Sequence, residues 1–440
     1  MKYASAEVRK QFFTEMFTRD ISLEDCVLDL IDNSIDSYLV KHGISTAQLI
    51  FGSDGTDPGR PPGAINVTCT ERQIKVADTC GGISRPRAVN DIFCFGYEEA
   101  PHRGRLGAYG VGMKRALFKI GNNFHIVSRT AQEGFEVSLK VDDWVEQEEW
   151  RIPITFIEGA DSEKKAGTSI TITELHEEVA QRIKQGGVPN NILNDAATTY
   201  PYFLDRCVTL NINNTDVSPE PVPLGEKDGV VKSANEKFEQ NGVRVTLVAT
   251  IAPGQRTTEQ AGWYILCNGR VVVRGNKDDL TGWGSDLASF QPKYRSFAGL
   301  ASFESDDPLR LPWTTTKRGI NRESGVFIQA RGLMATMSKP ILSFLNSQYP
   351  SDPTTETADI RGAVEGVTRI DFKDIASRPP SGFSYKAPKK KEKKTDWVRF
   401  QASVASLDKV RRHVRRPSLT PSDIGKLTLD HFVKTECAAD

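Results

Sequence analysis

Hydrophobic residues recur with a helical period between positions 22 and 42 of the chain. On a helical wheel the apolar positions fill one broad arc, which consists of Leu23, Val27, Leu28, Leu30, Ile31, Ile35, Tyr38 and Leu39. Ser22 has the side chain of a helix N-cap, and His42 followed by Gly43 is a typical stop signal. The pattern therefore predicts a long helix over 22–42.

Later segments alternate between apolar and polar residues, as strands do. The predicted strands of the first half are 65–70, 73–79, 124–129, 134–141 and 168–175. A glycine-rich stretch at 104–112 leads into an apolar helix at 116–121. The order of helix, strands, loop, helix and strands predicts an α+β sandwich, because a series of βαβ units would alternate the two element types.

Further strands at 244–252 and 263–275 predict a second α/β domain. Proline, serine and lysine are then enriched, which is typical of a linker. The predicted divisions are an N-terminal segment at 1–20, a first domain at 21–178, a second domain at 179–345, a linker at 346–396 and a basic helical tail at 397–440.

The chain of 440 residues has 57 basic and 57 acidic residues and is 38% hydrophobic, which is an ordinary globular composition. Charge is uneven, because Lys386 to Arg416 holds 12 Lys or Arg against three acids. The lysine run is typical of a solvated linker. A helix bearing Arg411, Arg412, Arg415 and Arg416 could instead contact nucleic-acid phosphates or an acidic partner protein.

Seven cysteines occur without any Cys-x-x-Cys pair, which argues against a zinc site or a redox dithiol. No apolar run approaches the ~18 residues of a membrane span. The first residues also lack the apolar stretch of a signal peptide. We therefore expect a cytoplasmic protein with reduced thiols and no membrane association.

The other arc of the predicted helix at 22–42 is acidic, and its members are Asp25, Asp29, Asp32, Asn33 and Asp36. One interpretation is a solvated helix face. The other is a site for Mg²⁺ and phosphates, because Mg²⁺ prefers hard oxygen ligands and the carbonyl of Asn33 qualifies. Asp29, one turn earlier, could then orient or deprotonate a water molecule.

Three further motifs favour a nucleotide. In ADTCGGIS (77–84), Asp78 ends a strand, where it could accept a hydrogen bond from adenine, and two glycines would admit a flat base. A hairpin turn is the alternative. GRLGAYGVGMKRA (104–116) puts glycines before a helix, as in a phosphate cradle, and Lys114 adds a charge. Thr168 begins a strand, where its hydroxyl could support Asp78.

The glycine-rich stretch is neither a Walker motif nor a Rossmann fingerprint. The order and spacing of all four motifs, over about residues 10–175, resemble the GHKL ATPase superfamily of gyrase, the heat-shock-ninety chaperones, histidine kinases and MutL. VRKQFFTEMFTRDISLEDCVLDLIDNSIDS and YGVGMKRALFKIG look most like the MutL/MORC-like branch found in bacterial ATP-binding proteins. The resemblance implies a Bergerat α/β sandwich that binds ATP and Mg²⁺.

By that resemblance, Asn33 binds Mg²⁺, Asp78 reads the adenine amine and 104–114 forms a lid over the triphosphate. The implied ATP-binding set is Asn33, Asp36, Asp78, Gly82, Ile83, Gly107, Tyr109, Gly110, Val111, Gly112, Met113, Lys114 and Thr168. Asp29 stands where the family usually has the glutamate that activates water. Its carboxylate lies roughly 1.5 Å further back, so we expect slow turnover.

In the second domain, Asn268-Gly269-Arg270 is sufficiently explained as a tight turn between two strands. It also resembles the NGR strand of the transducer domain in MutL and topoisomerase relatives. Lys317, in LPWTTTKRGIN, could be a solvated loop lysine. It also matches the transducer lysine that reaches the γ-phosphate and takes part in catalysis, with Arg318 as the second choice.

The leading hypothesis is an ATPase whose lid closure, with release or exchange of segment 1–20, brings two copies together as an ATP-dependent homodimer. The output would be a clamp on DNA or control of a partner effector, in bacterial genome maintenance or antiviral (phage) defence, and this rests on family analogy. Alternatives are a chaperone-like or signalling switch acting on a protein client, and a nucleotide-binding scaffold without turnover, which Asp29 allows.

Overall fold

The computed structural model describes residues 9–52, 61–94, 104–108, 110–161, 164–254, 256–349, 355–387 and 398–437. The chain divides into two compact units, Met1–Pro388 and Lys389–Asp440. The first unit contains two sheets with helices packed against them, and it holds all the residues of the site described below. No helix within these ranges is both long enough and apolar enough to cross a bilayer.

The helices of the first half are α1 (Lys10–Thr18), α2 (Leu23–His42), α3 (Thr46–Phe51), α4 (Arg85–Asn90), α5 (Gly112–Ile120), α6 (Val141–Glu146), α7 (Glu177–Lys184), α8 (Val188–Thr199) and α9 (Pro201–Leu204). The strands are β1 (Gly63–Cys69), β2 (Gln73–Asp78), β3 (Gly121–Arg129), β4 (Glu133–Lys140), β5 (Thr155–Glu158), β6 (Gly167–Leu175), β7 (Val208–Ile212) and β8 (Thr215–Asp216). The strands predicted between 65 and 175 are confirmed.

Helix α2 begins and ends as its sequence predicts. The hydroxyl of Ser22 accepts a hydrogen bond from the backbone N–H of Asp25 at 3.1 Å. Gly43 ends the helix in the left-handed conformation at φ +63°, and its N–H bonds to the last-turn carbonyls of Leu39 and Val40. Both signals are local, so the pattern of the sequence was enough to place the helix.

The first sheet has the strand order β5-β4-β3-β6-β2-β1-β7-β8. Neighbouring strands are antiparallel except β1 and β7, which run parallel. Helices α2, α5 and α8 form a layer against it, because α2 contacts both other helices and each of the three contacts strands. The carboxyl end of β2 and the start of β6 thereby lie beside α2.

The first sheet extends beyond the predicted domain boundary at residue 178. Its strands β7 and β8 lie in the range predicted for the second domain, and the buried core continues to Val217. The boundary from sequence followed the last recognised motif. The parallel pairing of β1 with β7 joins residues far apart in the chain and leaves no local pattern.

Helix α1 is part of the predicted N-terminal segment 1–20, of which 1–8 lie outside the described residues. The ammonium of Lys10 is buried and donates to the carbonyls of Trp144, Gln147 and Glu149 at 2.8, 2.8 and 2.7 Å. It also lies 4.3 Å from the centre of the Trp144 ring. These contacts hold α1 against the loop that follows α6.

The second sheet combines β11 (Ala234–Gln240), β12 (Val243–Ile251), β13 (Gly262–Cys267), β14 (Arg270–Asn276) and β15 (Phe297–Glu304). Its order is β11-β12-β15-β13-β14, with β13 and β15 parallel and the other neighbours antiparallel. Helix α10 (Gly325–Asn346) packs on β12 and β15. Trp263, Phe297, Phe303 and Phe327 are fully buried between them.

The predicted linker at 346–396 differs from the structure over 355–387. This stretch contains α11 (Thr355–Glu365), β16 (Thr368–Arg369), α12 (Phe372–Ala376) and β17 (Ser384–Tyr385). Strands β16 and β17 pair with β9 (Gly225–Glu226) and β10 (Val231–Lys232), and the side chain of Phe372 is buried. Three of these elements, β16, α12 and β17, are too short to show a period, so proline, serine and lysine content dominated the prediction.

The second unit contains α13 (Val404–His413) and α14 (Pro421–Glu436), which pack on each other. Helix α13 ends at His413, so Arg415 and Arg416 lie beyond it, and Arg415 has φ +55°. Arg411 donates to Asp408 and to the carbonyl of Leu419. The four arginines therefore do not share one helix face, although Arg412, Arg415 and Arg416 are exposed.

Candidate functional site

A cavity of about 680 Å³ lies between α2, the ends of β2 and β6, the glycine-rich segment and a loop of the second sheet. The predicted site residues that line it are Asp29, Asn33, Asp36, Asp78, Ile83, Gly107, Gly110, Val111, Gly112, Met113, Thr168 and Lys317. Gly82 and Lys114 are not in the lining, and Tyr109 lies outside the described residues. Folding thus brings together residues from five separate stretches of sequence.

One end of the cavity is organised around Asp78. Its carboxylate accepts hydrogen bonds from the Ser34 hydroxyl at 2.8 Å, the Cys80 N–H at 2.8 Å and the Thr168 N–H at 3.3 Å. Burial raises the pKa of Asp78 above its ordinary value, while these bonds act in the opposite direction. Asp78 is therefore held rigidly at the cavity wall.

A second polar contact supports that end. The hydroxyls of Thr168 and Ser128 lie 2.8 Å apart, and the Ser128 hydroxyl accepts a hydrogen bond from the N–H of Ile83. The predicted support of Asp78 by Thr168 thus runs through its backbone N–H, whereas its side chain bonds to Ser128. The sequence showed no signal for Ser34 or Ser128.

Gly82 serves the packing of the turn after β2. Its φ is +74°, and a Cβ atom there would lie 2.0 Å from the carbonyl oxygen of Arg129. Any side chain would therefore collide with β3. The sequence suggested that this glycine admits a flat base. The close approach of β3 explains the glycine without any such contact.

Asn33 is half-buried and lines the cavity. Its side-chain amide makes no hydrogen bond to any of the described residues, so its oxygen is available to a ligand. In the same ranges no group of three or more His, Cys, Asp or Glu side chains could hold a metal ion. The donor set suits Mg²⁺ that takes one protein oxygen and completes its shell with phosphates and water.

The acidic arc of α2 is not a solvated face. Asp29, Asp32 and Asp36 are 5%, 0% and 9% exposed. An ionised carboxylate at such positions requires a partner. Each of the three has a different environment, which separates their chemical roles.

Asp32 is saturated with partners. Lys317 Nζ lies 2.6 Å from Oδ2, while Arg270 Nε at 3.1 Å and the Tyr200 hydroxyl at 2.7 Å donate to Oδ1. Burial opposes ionisation of Asp32, but the charges of Arg270 and Lys317 outweigh it and keep its pKa below the ordinary value. Asp32 is the anionic centre of a buried ion cluster rather than a proton acceptor.

Asp29 is the least engaged of the three. Its Oδ1 lies 3.7 Å from Lys317 Nζ, and no hydrogen bond reaches its carboxylate from the described residues. Burial raises its pKa, against the charge of Lys317. A Cβ atom on Gly112 would lie 3.0 Å from Asp29 Cγ, so the first turn of α5 packs directly on this carboxylate.

Lys317 reaches the cavity from the second sheet's loop, as its sequence context suggested. It is buried, has φ +55°, and its ammonium lies between Asp29 and Asp32. Arg318, the second choice, is turned elsewhere, because it pairs with Asp25 and with Asp195. Of the two cations, only Lys317 lines the cavity.

Asp36 holds the predicted lid segment on α2. Its two oxygens accept hydrogen bonds from the N–H groups of Leu106 and Gly107 at 2.8 and 2.7 Å. Burial raises the pKa of Asp36 to about 6, and the two N–H donors oppose that rise. A Cβ atom on Gly107 would lie 3.0 Å from Asp36 Oδ2, so the glycine permits the close approach.

This tether is expected to weaken as the pH falls through about 6. The ionised carboxylate is the better acceptor, so the hydrogen-exchange protection of the Leu106 and Gly107 amides should drop. The contribution of Asp36 to the free energy of unfolding has the opposite pH dependence. It is complete below its ordinary pKa of 3.8 and is lost as the pH rises through about 6, because folding raises that pKa.

The matched variant is Asp36→Asn, which cannot titrate. Its protection at Leu106 and Gly107 should not change over the same pH range. An equal pH response in wild type and variant would show that another group loosens the segment.

Lys114 does not supply the predicted charge to the cavity. Its ammonium donates to the carbonyls of Ile92 and Cys94 at 3.1 and 2.6 Å, and burial lowers its pKa to about 8. It thereby ties α5 to the segment after α4. Unpredicted residues of the lining include Arg87 and Asp91, while Arg105 lies in the predicted lid but was not assigned to the ATP-binding set.

A comparison with known protein families finds a match in the first part of the chain. No curated protein matches the sequence significantly. Residues 21–169 match the family model described as "Histidine kinase-, DNA gyrase B-, and HSP90-like ATPase". That stretch contains α2, the Asp78 turn, the glycine-rich segment and Thr168. The match supports a GHKL-type ATPase domain over this stretch.

Proposed function

We propose that the cavity binds ATP with Mg²⁺ and that the chain hydrolyses it slowly. The observation that carries the proposal is that one cavity contains an anchored carboxylate, an unengaged side-chain amide and the start of a helix behind a glycine-rich segment. Helix N-termini favour phosphate, and an anchored carboxylate can accept a hydrogen bond from an exocyclic amine. These are the two ends of an adenine nucleotide.

The direction of the nucleotide follows from α2. Ser34 bonds to Asp78, so the base end lies beside this turn of the helix. Asp29 lies five residues earlier and contacts the start of α5 and Lys317, which supports a position for the phosphates at that end. Asn33 is between the two, where its oxygen would hold Mg²⁺. The ion would neutralise phosphate charge when bound.

Asp29 would act on the attacking water. Its raised pKa increases its affinity for a proton, and the absence of hydrogen bonds from the described residues leaves its oxygens accessible. Lys317 would contact the terminal phosphate from the other side. Its side chain comes from the second sheet, so the arrangement depends on how that loop sits on the first domain.

Replacing Asp29 with alanine is expected to preserve ATP binding and to lower turnover by about 100- to 10,000-fold, because it removes the proposed general base. Calorimetric titration and phosphate release measure the two quantities. Asp205→Ala, at a carboxylate that is 65% exposed, is the control and should change neither. Normal turnover by Asp29→Ala would refute the assignment of the base.

The proposed output is ATP-dependent dimerisation of a MutL/MORC-like kind that clamps DNA or controls a partner effector, including a role in antiviral defence. The exposed Arg412, Arg415 and Arg416 of the second unit support a contact with phosphates. A chaperone-like or signalling switch is the alternative. DNA-stimulated turnover that falls with salt supports the clamp, and stimulation by a partner protein without DNA binding supports the switch.

Mass photometry with no nucleotide, ADP and a non-hydrolysable ATP analogue, each with and without DNA, tests the dimer. The proposal predicts dimers only with the analogue. A constant mass in all six samples would refute ATP-dependent association.

A further inference from the structure

The ion cluster beneath the cavity forms a closed ring of three contacts. Arg270 Nε donates to Asp32 Oδ1 at 3.1 Å, and Arg270 Nη1 donates to the backbone carbonyl of Lys317 at 2.7 Å. Lys317 Nζ closes the ring by donating to Asp32 Oδ2 at 2.6 Å. The guanidinium thus holds both the anion and the backbone of the lysine that approaches the cavity. A planar fork can make two such bonds at once, which an ammonium cannot do with the same geometry.

The turn that carries Arg270 also contacts the lid segment. Asn268 is fully buried, and its Nδ2 donates to the carbonyl of Arg105 at 3.0 Å and to that of Ser305 at 3.1 Å. Its Oδ1 accepts a hydrogen bond from the N–H of Ser305 at 3.0 Å. Arg105 directly precedes the two residues that Asp36 holds. The lid segment therefore lies between a carboxylate of α2 and the amide of Asn268.

The turn itself is closely packed against its neighbours. Asn268 and Gly269 have φ of +45° and +78° and form a two-residue connection between β13 and β14. A Cβ atom on Gly269 would lie 2.8 Å from Ile50 Cδ1 and 3.1 Å from the Phe203 ring. There is no room for a side chain, so the turn cannot shift without moving its neighbours.

We propose that the turn Asn268-Gly269-Arg270 couples the lid to Lys317. Asn268 holds the docked lid through its hydrogen bond to the Arg105 carbonyl. Arg270 is a positioning residue that fixes the positions of the backbone and the ammonium of Lys317. When the lid segment leaves Asn268, the turn loses a contact that keeps Arg270 in place, and Lys317 loses its productive position. The inference rests on the proposed ATPase function.

The test is Asn268→Gly, because glycine tolerates the positive φ and lacks the side chain that carries the amide. We expect single-turnover hydrolysis to fall by about 10- to 100-fold, as for small misplacements of a catalytic group, with ATP affinity changed less than about threefold. Asn241→Gly is the matched control. Asn241 has φ +52°, precedes Gly242 in the turn between β11 and β12 of the same sheet, and should leave both quantities unchanged.

A double-mutant cycle separates coupling from general loosening. If Asn268 acts through Lys317, then Asn268→Gly should have no further effect on turnover in a Lys317→Ala background. Equal fold-losses in both backgrounds would overturn the inference, as would unchanged turnover in the single variant.

Should Asn268→Gly fail to fold, Arg270→Lys is the second variant. It keeps the buried charge but loses the planar fork of the guanidinium, and it should show the same non-additivity with Lys317→Ala. If the wild type binds and hydrolyses ATP while the variants match it, only the coupling fails. If the wild type binds no ATP, the proposed function fails first.

Discussion

Replacing Asn33 with alanine is expected to abolish magnesium-dependent binding of ATP. The amide oxygen of Asn33 lines the cavity, is uncharged and makes no hydrogen bond to the described residues. Loss of even an outer-shell group of a metal site costs about 10- to 100-fold in affinity, so a direct ligand should cost about 100-fold or more. Calorimetric titration with ATP and Mg²⁺ measures the change.

The matched control is Asn190→Ala, an exposed asparagine on α8 outside the cavity lining. It should bind ATP like the wild type. Titration without Mg²⁺ provides a second comparison, because the defect of Asn33→Ala should shrink when the ion is absent. If Asn33→Ala binds ATP with wild-type affinity in the presence of Mg²⁺, Asn33 is not the metal ligand.

Replacing Asp32 with alanine is expected to cause the largest loss of stability in the first unit. The change leaves Arg270 and Lys317 buried without their shared anion, and the Asp29 oxygen that pairs with the lysine is 3.7 Å from its ammonium. Removing one partner of a buried ion pair typically costs about 3–5 kcal/mol in the free energy of unfolding. Urea denaturation followed by circular dichroism gives this value.

Asp286→Ala is the control for an exposed pair. Its carboxylate lies 2.7 Å from Arg331 and is 46% exposed, so its removal should cost less than about 1 kcal/mol. If the two variants lose similar stability, the cluster around Asp32 contributes no more than a surface pair. A double variant that also replaces Lys317 should recover part of the loss, because one unpaired cation is then removed.

The sequence was sufficient for features that are encoded locally. The caps of α2, the alternation of the strands and the position of Asp78 at the end of β2 all follow from neighbouring residues. The resemblance to the GHKL superfamily, which the order and spacing of the motifs carry, implied that Asn33, Asp78 and the glycine-rich segment share one pocket. Lys317 could be chosen because the sequence of its loop resembles the transducer loop of MutL-like proteins.

Features that depend on distant partners could not be predicted. Asp32 looked like one more polar residue on the helix, whereas its partners Arg270 and Lys317 are 238 and 285 residues away in the chain. Tyr200, the third partner, lies in a segment without any motif. Lys114 shows the converse error, because its place in the motif suggested phosphate contact while folding directs it to the carbonyls of Ile92 and Cys94.

Burial also gives the acidic residues of α2 different chemical roles. Three carboxylates of similar appearance in the sequence became an anionic centre, a candidate base and a clamp on the lid segment. Their roles differ only because different elements pack on each of them. A helical wheel shows which residues share a face, but not which neighbour covers each position.

The most direct test of the account is an equilibrium titration of the intact chain with ATP and Mg²⁺, followed by heat release. We predict saturable binding at one site per chain, strongly weakened in Asp78→Ala and lost in Asn33→Ala. A flat titration of correctly folded wild-type protein would contradict the account, as would binding that is indifferent to both substitutions.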